Sequence, residues 1–98
     1  MLDFYLIPDS EPTPRPEKVD ELEYIGGIDE VAYTRLIKKG IIENRYEYYS
    51  DFRWSSKEVK QIAEYLKNKP NDDSDINILK TIIERTLNSK TGIISLCD

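Results

Sequence analysis

The acidic turn "NDDSDIN" has the residue types and spacing that begin a calcium-binding loop. Asn71, Asp73 and Asp75 match the first three ligand positions of an EF-hand. Isoleucine, however, stands at both of the later positions that require glycine and a bidentate glutamate. We therefore predict no metal site here, and expect Asp73 or Ser74 to cap a helix instead.

Most catalytic chemistry is excluded by composition. The chain has no histidine, which removes the commonest general base at neutral pH, the serine and cysteine triads and most zinc sites. Its four glycines form neither a dinucleotide-binding fingerprint nor a P-loop. Nineteen acidic residues supply carboxylate pairs, but no spacing singles one pair out. We predict a protein that is not an enzyme, with no catalytic residue and no cofactor.

The segment "NRYEYYSDFRWSS" is dense in aromatic residues. If residues 45–54 are extended, alternate side chains face the same way, and one set is aromatic: Tyr46, Tyr48, Phe52 and Trp54. The other set is mostly charged: Glu47, Tyr49, Asp51 and Arg53. Stacking on single-stranded nucleic acid, a protein interface and core packing are the three readings of such a segment. We expect the aromatic set to pack inward and Tyr49 and Arg53 to be exposed, as contacts for a partner with Glu47 and Asp51 beside them.

The N-terminal third predicts two strands and a loop. "LDFYLI" alternates and predicts a strand over residues 2–7, stopped by Pro8. Four prolines then predict a surface loop over residues 8–17, without the spacing of a PxxP ligand. Leu22 to Ile25 predicts a short strand, followed by a turn at Gly26-Gly27.

A first helix is predicted from Glu30 to Lys39, with Asp29 as its N-cap. Gly40 stands where a left-handed residue ends many helices, and Ile41 is placed to pack on Leu36. The predicted buried stripe of this helix consists of Val31, Ala32, Leu36 and Ile37.

The second helix has the clearest local signal in the chain. Ser55 and Glu58 have the spacing of a capping box, and Trp54 and Val59 occupy the positions of a hydrophobic staple. The predicted inward face of the helix consists of Val59, Ile62, Ala63 and Leu66. Pro70 marks its end.

A third helix over residues 75–88 has a wide apolar face, and we expect it to be the most buried of the three. Gly92 marks a break after the third helix, and residues 93–97 are predicted to form the last strand. The predicted fold is α+β, with three helices packed on a small sheet formed by the N- and C-terminal strands. Both parallel and antiparallel pairing of those strands stay open.

The length of 98 residues predicts a single small domain over residues 1–98. A net charge of −5 argues against nucleic acid or an anionic membrane as partner and favours a basic protein. The first residues lack a basic region before their short apolar run, and the single cysteine excludes a disulfide within the chain. We expect a cytoplasmic protein.

At "YYSDFRWSSKEVKQI" the chain resembles segments of small uncharacterised bacterial proteins. Over its whole length it resembles the immunity proteins that neutralise toxins exchanged between bacteria, which are acidic single domains without catalytic residues. The resemblance implies an inhibitor that binds a basic toxin tightly.

The leading hypothesis is a protein-binding domain, with an immunity-type inhibitor as its specific form. Its predicted contacts are Glu47, Tyr49, Asp51, Arg53, Asp72, Asp73 and Asp75. The alternative is a structural or adaptor domain that forms a homodimer through an exposed sheet edge. An enzyme ranks third, since it would need a pocket that holds carboxylates or tyrosines with perturbed ionisation.

Overall fold

The computed structural model describes residues 1–46, 48, 51–69 and 72–97. Within these residues, three α-helices and a short 3-10 helix accompany one four-stranded antiparallel sheet. In chain order the elements are β1 (Leu2–Ile7), the 3-10 helix (Pro16–Glu21), β2 (Tyr24–Ile28), α1 (Glu30–Lys38), β3 (Phe52–Trp54), α2 (Ser56–Lys67), α3 (Ser74–Ser89) and β4 (Gly92–Cys97). The predicted α+β class, with both terminal strands in the sheet, is confirmed.

The two terminal strands form the centre of the sheet, whose strand order is β2-β1-β4-β3. β1 and β4 are antiparallel over their full length, from Leu2 opposite Cys97 to Ile7 opposite Gly92. This decides the pairing direction that the sequence leaves open. Ile93 and Ile94 point to opposite faces of β4 and are both buried, which suits the largely apolar sequence of this strand.

The helices cover one face of the sheet, where the main core lies. Alternate residues of β1 point into it, and both Leu2 and Phe4 are fully buried. The sheet residues that share this face with them include Ile28, Phe52, Trp54 and Ile93. α3 carries more buried residues than α1 or α2, as predicted.

The outer face of the sheet is covered by the segment between β1 and β2, residues 8–23. Ile7 and Ile94 point to this face by register, yet both are buried. Val19, from the 3-10 helix of the segment, is buried as well and lies outside the main core cluster. The 3-10 helix was not predicted. It begins at Pro16, because proline has no N–H to lose in a first helical turn.

The predicted turn at Gly26-Gly27 is wrong, since β2 continues through both residues. A Cβ atom on Gly26 would lie 3.2 Å from Cγ1 of Ile82, so this glycine lets α3 pack closely on the strand. The register between β1 and β2 shifts beside Ile25, as in a β-bulge. Gly26 also has φ of 151°, which other residues rarely adopt, so it serves the conformation of the strand and close packing and not a reversal of the chain.

The predicted buried stripe of α1 is wrong at one position. Val31 is 61% exposed, whereas Tyr33, which was not predicted, is fully buried. The hydroxyl of Tyr33 donates to the carbonyl oxygen of Tyr46 over 2.6 Å. Tyrosine offers a larger apolar area than valine, and this hydrogen bond satisfies its one polar group, so the helix turns Tyr33 inward.

The predicted helix caps of α1 and α2 are confirmed. Asp29 accepts from the backbone N–H of Ala32 at the start of α1. Ser55 and Glu58 form a reciprocal capping box at the start of α2, at 3.1 and 3.2 Å. Gly40 ends α1 with φ of 75°, in a Schellman pattern of backbone hydrogen bonds.

Candidate functional site

The predicted acidic contacts around the start of α3 differ in their surroundings. Asp73 caps α3 by accepting from the backbone N–H groups of Asp75 and Ile76, and its carboxylate lies 2.6 Å from Nζ of Lys39. Asp75 accepts two hydrogen bonds from Arg35, at 2.6 and 3.0 Å, and its side chain is only 6% exposed. These two carboxylates therefore tie α1 to α3.

Asp72 remains at the surface of this cluster and is exposed. Two of the three aspartates predicted as partner contacts here thus have their charges satisfied within the chain. Asn71, the first candidate ligand of the turn, lies outside the described residues.

We predict that this cluster makes stability depend on pH in the acid range. Hydrogen bonds from Lys39 and Arg35 lower the pKa of Asp73 and Asp75 respectively below the ordinary 3.8. Because the folded-state pKa is the lower one, the stabilisation is complete above the unfolded-state value and is lost as pH falls through the folded-state value. Urea unfolding at about pH 6 and about pH 3 is expected to show this loss.

The matched variant is Asp73→Asn combined with Asp75→Asn. Asparagine caps a helix about as well as aspartate, so the change removes charge while keeping the cap at Asp73. The double variant is expected to be less stable at neutral pH and to lose less stability on acidification. If the free energy of unfolding of the double variant fell as steeply with decreasing pH as that of the unchanged chain, this would contradict the assignment.

The inward assignment of the aromatic segment is confirmed for its described members. Trp54 is 1% exposed, and Tyr46, Tyr48 and Phe52 are partly buried against the core. The rings form a connected cluster, with Phe52 5.1 Å from Trp54 and 5.2 Å from Tyr46 between ring centroids. Among the described residues of the segment, 52–54 form a strand.

The described charged members of that segment differ from one another in exposure. Asp51 is exposed and Arg53 is half-buried. Glu47 and Tyr49, also predicted as partner contacts, lie outside the described residues. Arg53 donates to the carbonyl oxygen of Pro8 over 2.9 Å and approaches Oγ1 of Thr13 at 3.3 Å. Its guanidinium group therefore anchors the proline-rich loop to β3.

A second contact anchors the same loop at the start of α2. Both carboxylate oxygens of Asp9 accept from Ser56, one from the backbone N–H at 2.9 Å and one from the hydroxyl. The hydroxyl hydrogen bond lowers the pKa of Asp9. At the other end of the segment, the N–H of Leu6 donates to the carbonyl oxygen of Glu23. Residues 8–23 are thus held at both ends.

This held segment carries an acidic surface that the sequence reasoning missed. Four glutamates on it are exposed, and none makes an ion pair with a side chain in the described part of the chain: Glu11, Glu17, Glu21 and Glu23. Tyr24 follows them and is 52% exposed. We name these five residues the acidic surface.

A signal for this surface was present in the sequence. Residues 1–34 contain nine of the 19 acidic residues but only two of the 14 basic ones. The total charge conceals this asymmetry, because the remainder of the chain carries slightly more basic than acidic residues.

Neither a metal centre nor a membrane span is found in the described ranges. Over residues 1–46, 48, 51–69 and 72–97, no three acidic or cysteine side chains are grouped so that they could hold a metal ion. No helix in these ranges is long and apolar enough to cross a membrane. Comparison with known protein families, with curated proteins and with solved structures gave no match.

Proposed function

We propose that this protein is a non-enzymatic protein-binding domain whose acidic surface binds a basic partner. The observation that carries the proposal is a set of exposed glutamates on residues 8–23, which form no ion pair with a described side chain and lie next to the exposed ring of Tyr24. Carboxylates arranged in this way attract a basic protein over distances beyond contact and accelerate its association. Tyrosine is among the residues enriched where interfaces bury most of their binding energy.

The anchoring of the segment supports this function. Hydrogen bonds of Arg53 and Asp9 hold the loop in place. Val19, which belongs to the same segment, is buried. A surface that is already ordered loses little conformational entropy when a partner binds, so more of the contact energy appears as affinity. The specific form that we propose is an immunity-type inhibitor, in which the basic partner is a toxin.

The alternative, a homodimer formed through a sheet edge, has less support. β2 is one edge strand, and the carbonyl oxygen of its bulge residue Ile25 accepts from Arg85 over 2.9 Å. The other edge strand, β3, has three residues. A bulge, an occupied backbone acceptor and a short strand all hinder pairing with another sheet edge. Two copies would also bring like charges together if their acidic surfaces met.

The proposal is tested by capturing partners from native cell extract with two charge-matched variants. The test variant neutralises three of the four glutamates of the acidic surface, with Glu17→Gln, Glu21→Gln and Glu23→Gln. The control raises the net charge equally, at exposed glutamates elsewhere, with Glu43→Gln, Glu64→Gln and Glu84→Gln. We expect the unchanged chain and the control to retain a basic protein in a one-to-one complex, and the test variant to bind it at least about tenfold more weakly.

Rising salt is expected to weaken the complex, since it screens exposed charges. Equal loss of binding in both variants would show that only net charge matters and would contradict the proposed surface. Recovery of a dimer of the chain alone, measured by light scattering, would favour the adaptor alternative. The proposal that the partner is a toxin is tested by expressing the captured partner with and without this chain. It is wrong if the partner alone does not impair growth.

A further inference from the structure

The outer face of the sheet is covered at one end and partly exposed at the other. Ile7 and Ile94, in the part covered by residues 8–23, are buried. Leu96 lies two residues beyond Ile94, opposite Asp3, and both Leu96 and Asp3 are half-buried. Alternate residues of a strand point to one face, so Leu96 shares the outer face with Ile94. An apolar side chain of a central strand is thus partly open to solvent at this end.

The β-bulge in β2 adds an aromatic ring to this exposed part of the face. Gly26 lies opposite Phe4, and Tyr24 lies opposite Tyr5. Ile25 is therefore an extra residue in the strand, and its side chain is buried in the main core. Tyr24 faces outward, with its ring centroid 5.5 Å from that of Tyr5, whereas in a regular strand it would share the inner face with Gly26. Bulges often redirect a side chain in this way next to functional sites.

Gly27 brings a flexible side chain next to these rings. It lies opposite Asp3, so a side chain at this position would point outward. A Cβ atom on Gly27 would lie 2.6 Å from Sδ of Met1 and 3.0 Å from the hydroxyl oxygen of Tyr24, so these two side chains fill the space above the glycine. Met1 is 59% exposed, and methionine adapts readily to different contacts, so its side chain can move to admit an apolar group of a partner. We name the following residues the outer-sheet patch: Met1, Tyr5, Tyr24, Gly27 and Leu96.

Carboxylates stand at both ends of the outer-sheet patch. Glu23 directly precedes Tyr24, Asp29 directly follows β2, and both are exposed, while Asp3 lies within the patch. Arg85 also reaches this strand, but it does so from α3, which packs on the other face of the sheet. An acidic rim of this kind attracts cations and repels anions. The patch therefore suits an apolar side chain flanked by cations, whereas a second copy of this acidic chain would bring like charges together.

We propose that the basic partner places an aromatic side chain on the outer-sheet patch, with lysine or arginine on both sides of it facing the surrounding carboxylates. This inference rests on the proposed function and adds to it the apolar anchor of the interface. Protein interfaces combine an apolar centre with a polar rim, and a few central residues, often tyrosine, account for most of the binding energy. The rings of Tyr5 and Tyr24 meet edge to face, a geometry that a ring of the partner can extend.

The test uses the full chain and three capped heptapeptides. The first has a central phenylalanine with three lysines on each side. The second replaces the phenylalanine with glycine, and the third keeps it and replaces every lysine with glutamine. In nitrogen–proton correlation spectra at low salt, we expect the first peptide to move the amide signals of Tyr24, Gly27 and Leu96 most. It is also expected to bind at least about fivefold more tightly than either of the others, since only it combines the ring with the cations.

Two matched variants remove one exposed ring each without changing the charge. Tyr24→Ala acts in the patch, and Tyr65→Ala acts on α2, where the tyrosine has a similar exposure of 46% against 52%. Tyr24→Ala is expected to weaken binding of the phenylalanine–lysine peptide at least about fivefold and to leave the glycine peptide within about twofold, whereas Tyr65→Ala changes neither. Equal weakening by both variants, or equal binding of the phenylalanine–lysine and glycine peptides to the unchanged chain, would overturn this inference. If Tyr24→Ala does not fold, the signals that move in the unchanged chain decide, and movement away from the patch overturns it.

The acidic surface is tested separately in the same series, with Glu17→Gln, Glu21→Gln and Glu23→Gln combined. This variant is expected to weaken binding of both lysine peptides, because both depend on its carboxylates. If it does so while Tyr24→Ala leaves the phenylalanine–lysine peptide unaffected, the proposed function stands and the outer-sheet anchor is wrong. If neither lysine peptide binds more tightly than the glutamine peptide, the proposed function itself is wrong and the anchor is wrong with it.

Discussion

Replacing Trp54 with alanine is expected to lower the free energy of unfolding by about 3–5 kcal/mol. The side chain is 1% exposed, and its ring lies 6.1 Å from that of Phe4 and 5.7 Å from that of Tyr46. It also precedes the cap of α2 and is paired with Ile93 in the sheet. The substitution therefore leaves a cavity where β3, β4 and α2 meet. Urea unfolding followed by far-ultraviolet circular dichroism measures the loss without relying on tryptophan fluorescence.

The control for this experiment is Tyr65→Ala, which removes an aromatic ring from the same helix region at an exposed position. Surface changes of this kind usually alter stability by no more than about 0.5 kcal/mol. A loss below about 1 kcal/mol for Trp54→Ala would contradict the central place that the structure gives to this ring.

Gly92→Ala is the second substitution with a large expected effect, at about 3 kcal/mol of destabilisation. A Cβ atom at this position would lie 2.4 Å from the carbonyl oxygen of Trp54 and 3.2 Å from a carboxylate oxygen of Asp9. The nearer atom belongs to the backbone, which cannot rotate away as a side chain would. The strand or the start of α2 must shift, and the same unfolding measurement reports the cost.

Gly40 provides the matched comparison, because glycine is needed there for the left-handed backbone conformation and not to avoid a steric clash. Its φ is 75°, and, its chain neighbours aside, no atom of the described residues would lie within 4 Å of an added Cβ. Gly40→Ala is expected to cost about 1 kcal/mol, and Gly40→Asn less, since asparagine adopts the left-handed region more readily. At Gly92 the order reverses, with asparagine costing more than alanine. The same order at both positions would show that the space argument is wrong.

The helix ends could be predicted because each depends on residues close in sequence. Ser55 and Glu58 satisfy one another across three positions, and Asp29 needs only the N–H of Ala32. Gly40 likewise needs only its own left-handed conformation. Such interactions form whatever the remainder of the chain does, so the local pattern is sufficient to predict them.

Positions that depend on a distant element were not predictable in the same way. Whether Val31 or Tyr33 is buried depends on the carbonyl of Tyr46 and on the rings around it, which lie more than ten residues away. Gly26 resembled a turn because glycine pairs often form turns, and only the tertiary structure shows its role: its φ is 151° beside the bulge, and Ile82 packs closely against it. In both cases a tertiary contact outweighs a local preference.

The sequence by itself determined the α+β class, the capped helices, the terminal strands and the inward packing of the described aromatic residues, because hydrophobic period and cap spacing are local properties. The tertiary structure alone decided which charged groups remain exposed. Arg35 and Asp75 pair across 40 residues, and Arg53 reaches Pro8 across 45. Glu17, Glu21 and Glu23 are exposed on residues 8–23, a segment held in place by Arg53 and Ser56 at one end and by Leu6 at the other. A charge on a chain becomes a binding surface only when folding leaves it without a partner, and that depends on every element packed nearby.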